Sequence, residues 1–404
     1  MSNLNGSINV NLSDNGLDIG HGCRLKYRVG VSRAEYDSFV DSLKSSGDYK
    51  IFSENAVGEN SYTTLTSSNG MLHLYYTAAT ESVRIISDDL SVACLPIIEV
   101  SDFDRITDTS LCVMSMDFSH RDITDGHGMS YVIILPDGRF LIFDGGYEQD
   151  SERLYRFLCD NNRRPDKKIV IAGWIITHSH TDHYKCFVQF AQDHAGDVEL
   201  QYFIANHPIR AEFHRGAGYD PFLEATAYET LSAFDGAKII RPHTGQVIRF
   251  CDVELEVVYT HEDHYPRVLP YLNDSSTIIR LKAGGQSLLF MADCDKNTCD
   301  ILCDTLGDAL KSDFIQVNHH GYSGGTIELY QKVAPTYSLW TTSDIAFRFR
   351  TCGVKYQWIG NAVESNKYLY NTLGRENCFI ADGPVEIIRL PLTDKEKDIT
   401  FYNL

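Results

Sequence analysis

The sequence feature that most constrains the fold is a group of metal-binding residue types directly after an apolar run. The stretch KKIVIAGWIIT is followed at once by HSHTDH at 178–183. A nearly all-apolar strand indicates a sheet that is covered on both faces. Because side chains alternate along a strand, His178 and His180 should point the same way, and Asp182 and His183 can face them from the next turn. A surface histidine cluster is the alternative, but such clusters rarely follow an apolar strand. Imidazole and carboxylate are common ligands of zinc, manganese and iron.

Composition limits the partners that the chain can have. The 404 residues exceed what one ordinary domain core needs, so two domains are expected. A formal net charge of −19 argues against nucleic acid as a partner, because long polyanions need clustered Lys and Arg. A small-molecule substrate, including a phosphorylated one held by metal ions, stays compatible with this charge.

The chain start and the cysteines bear on location. The opening MSNLNGSINVNLSDNG is polar and lacks the pattern of a signal peptide. No stretch reaches the roughly 18 consecutive apolar residues of a membrane segment. The 11 cysteines lack small-domain disulfide spacing. Reduced thiols and a cytoplasmic location are therefore expected. The sequence is silent on oligomeric state.

Residues 1–108 are expected to form a small α+β domain. The segment SRAEYDSFVDSLKS has an apolar helical stripe, with Ser32 as a candidate cap. Short alternating segments follow it, separated by turn signals, and these are typical of a hairpin or meander. No chemical constellation is recognisable in this part. It is interpreted as a packing or partner-binding module, which could cover a cleft or mediate dimerisation.

Residues 109–404 show a different pattern, in which strands and helices mix without a Pro-, Ser- or Gly-rich linker. Helices outside packed sheets indicate an αββα sandwich. The fold class is therefore α+β, with an αββα sandwich and a small N-terminal α+β domain.

The H-x-H-x-D-H order after a buried strand resembles the metallo-β-lactamase superfamily, over roughly residues 110–392. FDGG at 143–146 resembles the family's early strand-ending Asp-Gly element, and LLFMADCD at 288–295 and the NHHG segment at 318–321 resemble its later motifs, in the right order. The resemblance implies a hydrolase with two divalent metal ions. Zinc is the expected metal, and manganese and iron are the alternatives.

The resemblance also implies roles for individual residues. Asp144 is expected to hydrogen-bond the metal loop. Asp293 is expected to bridge the two ions. One of His319 and His320 should bind the second ion. Strand alternation lets only one of two neighbours face the site directly, and His320 is preferred, leaving His319 for substrate.

By the family pattern one more ligand lies between the metal loop and Asp293. The candidates are His194, His207, His214, His243, His261 and His264. His261 is preferred because it ends one strand and lies shortly before the next, where the family places this ligand. His207 comes next because it also ends a strand. The expected sets are His178, His180 and His261 for one ion, and Asp182, His183 and His320 for the other.

The segment YLNDSSTIIRLKAGGQSLLFMADCD followed by VNHHG narrows the resemblance. It is similar to the hydrolase domain of DNA-uptake channel proteins of the ComEC type and to bacterial phosphorylcholine esterases. The chain shows neither the membrane channel of the former nor the choline-binding repeats of the latter. The resemblance therefore supports the site layout better than the substrate.

The expected activity is hydrolysis of a small phosphodiester by metal-activated water. Asp182 is the expected catalytic residue, which orients the water and takes its proton. Substrate contacts are expected from His127, His264 and His319. Two alternatives stay open. One is hydrolysis of a carboxylic ester, thioester or lactam, and the other is a metal-binding interaction module without turnover.

Overall fold

The computed structural model describes residues 16–89, 95–96, 103–120, 126–214, 221–352 and 364–404. The first sheet is antiparallel and contains β1 (Leu17–Gly20), β2 (Cys23–Val29), β3 (Lys50–Val57), β4 (Asn60–Ser67), β5 (Gly70–Thr77) and β6 (Ser82–Asp88). Its strand order is β1-β2-β6-β5-β4-β3.

Helix α1 (Arg33–Ser45) covers one face of this N-terminal sheet. Ser32 caps it, with its side chain accepting from the Glu35 amide and the Glu35 carboxylate accepting from the Ser32 amide. Tyr36, Phe39 and Leu43 recur at helical spacing and are buried. The helix predicted from the sequence is confirmed.

The rest of the described chain forms two further sheets and eight helices. The next strands are β7 (Ser110–Val113), β8 (Ser130–Ile134), β9 (Phe140–Asp144), β10 (Ile169–Ile175), β11 (Val198–Leu200), β12 (Tyr202–Ile204) and β13 (Lys238–Ile240). They are followed by β14 (Val247–Phe250), β15 (Val253–Tyr259), β16 (Ile278–Ala283), β17 (Gln286–Phe290), β18 (Phe314–Gln316), β19 (Tyr337–Trp340), β20 (Cys378–Ile380), β21 (Val385–Arg389) and β22 (Ile399–Tyr402). The helices are α2 (Ser151–Asn161), α3 (Thr181–His194), α4 (Pro221–Thr230), α5 (Lys296–Leu306), α6 (Ile327–Val333), α7 (Asp344–Cys352), α8 (Glu364–Leu373) and α9 (Lys395–Asp398).

The two larger sheets pack face to face. One has the order β13-β12-β10-β9-β8-β7-β21-β22, with β11 also paired to β10, and the other has the order β14 to β20 in sequence. Phe143 of the first stacks on Phe290 of the second, with ring centroids 4.0 Å apart. Helices α2 and α3 pack on the first sheet, while α5, α6, α7 and α8 pack on the second. The α+β class and the αββα sandwich are confirmed.

The N-terminal sheet does not stand apart from the sandwich. Its face opposite α1 shares one apolar cluster with α5, in which Tyr62 and Tyr75 lie with Ile301 and Leu302. The Arg84 guanidinium crosses this boundary and donates hydrogen bonds to three backbone carbonyls, those of residues 262, 263 and 265. We call this packed boundary between the N-terminal sheet and the sandwich the seam. The division of the sequence at residue 108 stays a prediction.

No helix in the described ranges is both long and apolar enough to cross a membrane. The described cysteines form no disulfide with one another.

Candidate metal centre

The HSHTDH segment joins the end of β10 to the start of α3. The strand ends at Ile175 and the helix begins at Thr181, so Asp182 and His183 lie in its first turn. His178 and His183 are fully buried. The short connection therefore places His178 and His180 of the loop beside Asp182 and His183 of the helix.

Four side chains converge in one cluster, consisting of Asp182, His183, Asp293 and His320. The Nε2 atom of His320 lies 2.9 Å from Asp182 Oδ2 and 3.3 Å from Asp293 Oδ2. The Nε2 atom of His183 lies 3.3 Å from Asp293 Oδ2 and 3.6 Å from Asp182 Oδ2. One donor atom of each residue lies within 4.8 Å of all the others.

Three side chains form a second cluster, consisting of His178, His180 and again Asp293. His178 Nε2 lies 3.0 Å from His180 Nδ1 and 3.9 Å from Asp293 Oδ2. Asp293 follows β17, after Ala292 has turned the backbone to a positive φ of 48°. The two clusters therefore share one carboxylate.

The donor atoms of the four-residue cluster fit a cation. His183 Nε2, His320 Nε2 and Asp293 Oδ1 are buried, and no hydrogen bond of suitable angle satisfies them, although His320 Nε2 lies 2.9 Å from Asp182 Oδ2. Leaving buried polar atoms without partners is costly, and a cation would satisfy all three. The Nδ1 atoms, on the other side of the two histidine rings, contact oxygen atoms of the surrounding protein. His183 Nδ1 lies 2.7 Å from Asp144 Oδ2, and His320 Nδ1 lies 2.8 Å from Thr341 Oγ1. Such contacts orient histidines that bind metals.

Electrostatics keep the carboxylates of the centre charged. Burial opposes their charge, but His183 and His320 hold the pKa of Asp182 well below its usual range. The same two histidines, with burial again opposing them, hold the pKa of Asp293 well below its usual range. Burial, together with the neighbouring His183, holds the pKa of His178 well below its usual value. Burial also opposes the charge of the other two rings, but Asp293 and Asp182 raise the pKa of His183 well above its usual value and also raise the pKa of His320. Charged carboxylates and neutral imidazoles are the forms that bind metal ions, so a cation bound here would displace protons from these two rings.

Asp144 fastens the metal loop to β9. Its carboxylate accepts hydrogen bonds from the Thr177 amide and from the Thr177 hydroxyl, each 2.8 Å long. Its carbonyl accepts one from the Trp174 indole at 2.7 Å. Asp144 is fully buried and has a φ of 55° at the end of its strand. One side chain thus fixes both the loop and the ring of His183.

The adjacent histidines after β18 lie in a turn. The backbone φ is 47° at His319, 52° at His320 and 86° at Gly321. His320 is fully buried in the four-residue cluster, whereas the His319 side chain is 26% exposed and lies 3.8 Å from Asp293 Oδ2. Strand alternation therefore does not govern this pair, because both rings approach the centre from a left-handed turn.

His261 does not join either cluster, which corrects the sequence-based ligand set. It lies in the turn after β15, where its Nδ1 is 2.7 Å from Glu212 Oε2 and its Nε2 is 3.1 Å from Asn206 Oδ1. The strand β15 is separated from β17 by β16. Two strand spacings, roughly 10 Å, therefore separate the ends of β15 and β17.

The other histidines considered for the site are placed as follows. His207 is buried near the ring of Tyr228, outside both clusters. His264 also lies outside them and is buried, and burial, with Arg267, lowers its pKa to about 4. His127 lies at the centre, with its Nε2 3.6 Å from Asp182 Oδ2.

Two tyrosines and an arginine at the centre were missed by sequence reasoning. The hydroxyls of Tyr147 and Tyr322 lie 3.2 and 3.1 Å from opposite nitrogens of His127. The Arg350 guanidinium lies 3.7 Å above the Tyr322 ring and donates to the His320 carbonyl. Tyr322 directly follows the HHG residues in the sequence, which could have drawn attention to it. Arg350 belongs to no motif that could have revealed it.

A cleft opens beside the three-residue cluster. It is lined by His180, Tyr271, Leu272, Asn273 and Asp295. Tyr271 is 57% exposed. Burial, with Asp274 and Asp293 nearby, raises the pKa of Asp295 to about 6. In the sequence, the NDSS segment at 273–276 suggests only the start of the following strand. Its contribution to the lining of a cleft was therefore missed.

A comparison with known protein families supports the type of fold. Residues 123–265, less than half of the chain, match the family model of the metallo-beta-lactamase superfamily. No curated protein matches the chain significantly.

Three solved structures are similar to this chain at low identity. The metallo-beta-lactamase fold protein YhfI from Bacillus subtilis is 12% identical, covering 70% of this chain and 100% of its own, with a TM-score of 0.42. Zn(2+)-bound PqqB from Methylobacterium extorquens is 11% identical, covering 69% and 99%, with a TM-score of 0.40. CmlA, a diiron β-hydroxylase from Streptomyces venezuelae, is 12% identical, covering 70% and 54%, also at 0.40. Scores this low say nothing about the reaction of this chain.

The αββα sandwich and the family-model match together support a metallo-β-lactamase superfamily fold. The ComEC-type and phosphorylcholine-esterase resemblance stays a prediction.

Proposed function

We propose that the chain is a metal-dependent hydrolase that uses two divalent ions to cleave a small phosphodiester. Zinc is the metal that we expect. The observation that supports it is the position of Asp293, whose carboxylate belongs to both ligand clusters. A shared carboxylate is what a two-metal hydrolase needs to hold its ions a few ångströms apart.

The ligands divide into a three-residue and a four-residue set. One ion would be held by His178, His180 and Asp293, and the other by Asp182, His183, His320 and Asp293. Three protein ligands leave a coordination position for water or substrate, as in catalytic zinc sites. Bound divalent ions polarise a substrate oxygen and lower the pKa of water.

The proposed catalytic role belongs to Asp182. Its pKa is held well below its usual range, because His183 and His320 outweigh burial, so the carboxylate is charged and can accept a hydrogen bond from the attacking water. It orients the attacking water and takes its proton. His319 is partly exposed beside Asp293, and His127 lies beside Asp182. Both rings lie where they can contact phosphoryl oxygens of the substrate.

The first experiment measures metal per chain together with turnover of bis-p-nitrophenyl phosphate. We expect about two tightly bound ions at these clusters and measurable hydrolysis. Two ions without turnover would contradict the phosphodiester and direct the search to carboxylic esters, thioesters and lactams. Failure on that panel as well would favour the metal-binding module.

The variant Asp182→Asn tests the catalytic role. We expect kcat to fall by about 10²- to 10⁴-fold, because the proton acceptor is lost. The matched control is Asp193→Asn on the same helix, since Asp193 is exposed and accepts a hydrogen bond from Gln189. Circular dichroism and metal content of both variants should be measured. Wild-type kcat in Asp182→Asn would contradict the assignment.

A further inference from the structure

A third group of metal-binding side chains shares no residue with the first two and lies at the seam. It consists of Cys23 in β2, Asp88 at the end of β6 and His243 in the loop after β13. All three residues are buried. We propose that they hold a third divalent ion, of the zinc type, which ties the N-terminal sheet to the sandwich.

The geometry places the donor atoms within reach of one ion. One donor atom from each of the three residues lies within 4.8 Å of the other two. His243 Nε2 lies 3.2 Å from Asp88 Oδ2. Cys23 and Asp88 are on neighbouring strands, because β2 pairs with β6 and Arg24 faces Ser87. The sheet therefore supplies two of the donors and the sandwich supplies the third.

The orientation of His243 is a second and independent observation. Its Nδ1 lies 2.6 Å from Glu262 Oε1, so the ring is held from behind with Nε2 directed at Asp88. The Glu262 carboxylate is itself fixed, since it accepts hydrogen bonds from Asn206 at 3.0 Å and from Thr260 at 2.9 Å. A carboxylate behind a histidine is a common arrangement at metal sites, where it sets the tautomer and the direction of the ring.

Two further atoms fit a bound cation. Asp88 Oδ1 is buried and makes no hydrogen bond. The Arg241 guanidinium donates hydrogen bonds to Cys23 Sγ at 2.9 Å and to the Gly20 carbonyl at 3.1 Å. Burial outweighs Arg241 and raises the pKa of the Cys23 thiol, so an ion that binds here displaces the thiol proton. With a divalent ion bound, its charge and that of Arg241 balance the thiolate, Asp88 and Glu262.

The donor set selects the class of metal. Thiolate, imidazole and carboxylate together suit zinc better than magnesium or calcium, which prefer oxygen alone. Because the three residues are buried, a substrate could not reach the ion. Its role is therefore structural, as a cross-link between β2, β6 and the loop after β13.

The site can be tested apart from the proposed catalytic centre, because it alone among the three ligand clusters of the described residues contains a sulfur atom. Purified full-length protein is stripped of metal and titrated with Co²⁺ alone. Thiolate bound to Co²⁺ absorbs in the near ultraviolet, whereas cobalt bound by histidine and aspartate alone does not. We expect this absorption to reach, at saturation, the amplitude of one thiolate-bound Co²⁺ per chain.

Variants assign the signal to its residue. Cys23→Ala should abolish the near-ultraviolet absorption and lower cobalt content from about three to about two per chain. The matched control Cys112→Ala removes another buried cysteine, from β7, and should keep the absorption. Asp182→Asn alters the proposed catalytic centre and should keep it too. Failure of the proposed function would leave this signal intact, so the two ideas fail separately.

Two results would overturn the third site. One is wild-type protein with bound Co²⁺ but no thiolate absorption, and the other is absorption that survives in Cys23→Ala. If Cys23→Ala does not fold, X-ray absorption of the wild-type zinc protein decides. A sulfur neighbour at about 2.3 Å supports the site, and a shell of nitrogen and oxygen only contradicts it.

Discussion

At the residue scale, the groups behind the histidines matter as much as the ligands themselves. Asp144 lies behind His183, and Thr341 lies behind His320. Each leaves the Nε2 atom of its histidine directed at the four-residue cluster. These contacts give the ligands fixed orientations without any contribution from a bound ion.

The variant Asp144→Asn tests this positioning role. The amide keeps the shape of the side chain but removes the charge opposite His183, so the ring loses its orientation and basicity. We expect metal affinity to fall by about 10- to 100-fold, as measured by competition with a chelator. The exposed Asp193→Asn variant serves again as the control. Equal affinity in Asp144→Asn and wild type would contradict the role.

At the element scale, the site is built where parallel strands end. The strands β9 and β10 are parallel neighbours in one sheet, and β17, β18 and β19 are parallel neighbours in the other. Asp144, His178, Asp293 and His320 all come from the ends of these strands or the turns that follow them. Packing two sheets face to face brings these ends together, which no single element could do.

The turn after β18 gives a prediction at this scale. Gly321 has a φ of 86°, and an added Cβ would lie 2.9 Å from the Trp340 ring. Gly321→Ala should therefore shift the turn, displace His320 and weaken metal binding. The matched control is Gly236→Ala, where φ is 74° but nothing lies within 4 Å.

Both alanine variants carry the cost of a left-handed backbone, about 1–2 kcal/mol. Only Gly321→Ala should lose metal affinity and show a larger drop in the free energy of unfolding, as measured by urea denaturation and chelator competition. If the two variants bind metal equally well, the turn does not fix His320.

At the scale of the whole molecule, the seam is held by buried polar contacts as well as apolar ones. His73 in β5 is completely buried there, with Nδ1 2.9 Å from Thr64 Oγ1 and Nε2 2.8 Å from the Thr244 carbonyl. A neutral ring satisfies both contacts by accepting at Nδ1 and donating at Nε2. Burial lowers the pKa of His73 from 6.5 to about 3, with His243 adding to the effect.

We therefore expect the free energy of unfolding to decrease at acid pH because of His73. The unfolded chain takes up a proton near pH 6.5, and the folded chain resists until about pH 3, so the stabilisation is present above 6.5 and is lost as pH falls toward 3. The slope is at most about 1.4 kcal/mol per pH unit. His73→Gln should reduce the acid slope in urea unfolding of metal-free protein. An unchanged slope in that variant would contradict this.

Much of the centre could be predicted from local sequence. An apolar strand followed by HSHTDH places His178, His180, Asp182 and His183 beside one another, because strand and helix periodicities act over a few residues. The capped helix α1 was predictable for the same reason. Ligand chemistry follows from residue type alone, so the amino-acid sequence by itself was enough to predict a metal centre.

Only the tertiary structure decided which distant side chains join that segment. It brought in Asp293 and His320 and left His261 with Glu212, because strand order sets how far apart strand ends lie. It also gathered Cys23, Asp88 and His243, a set that no local pattern links, since β2, β6 and the loop after β13 meet only when the sheets pack. Local periodicity fixes neighbours along the chain, whereas contacts across the seam depend on how whole sheets pack.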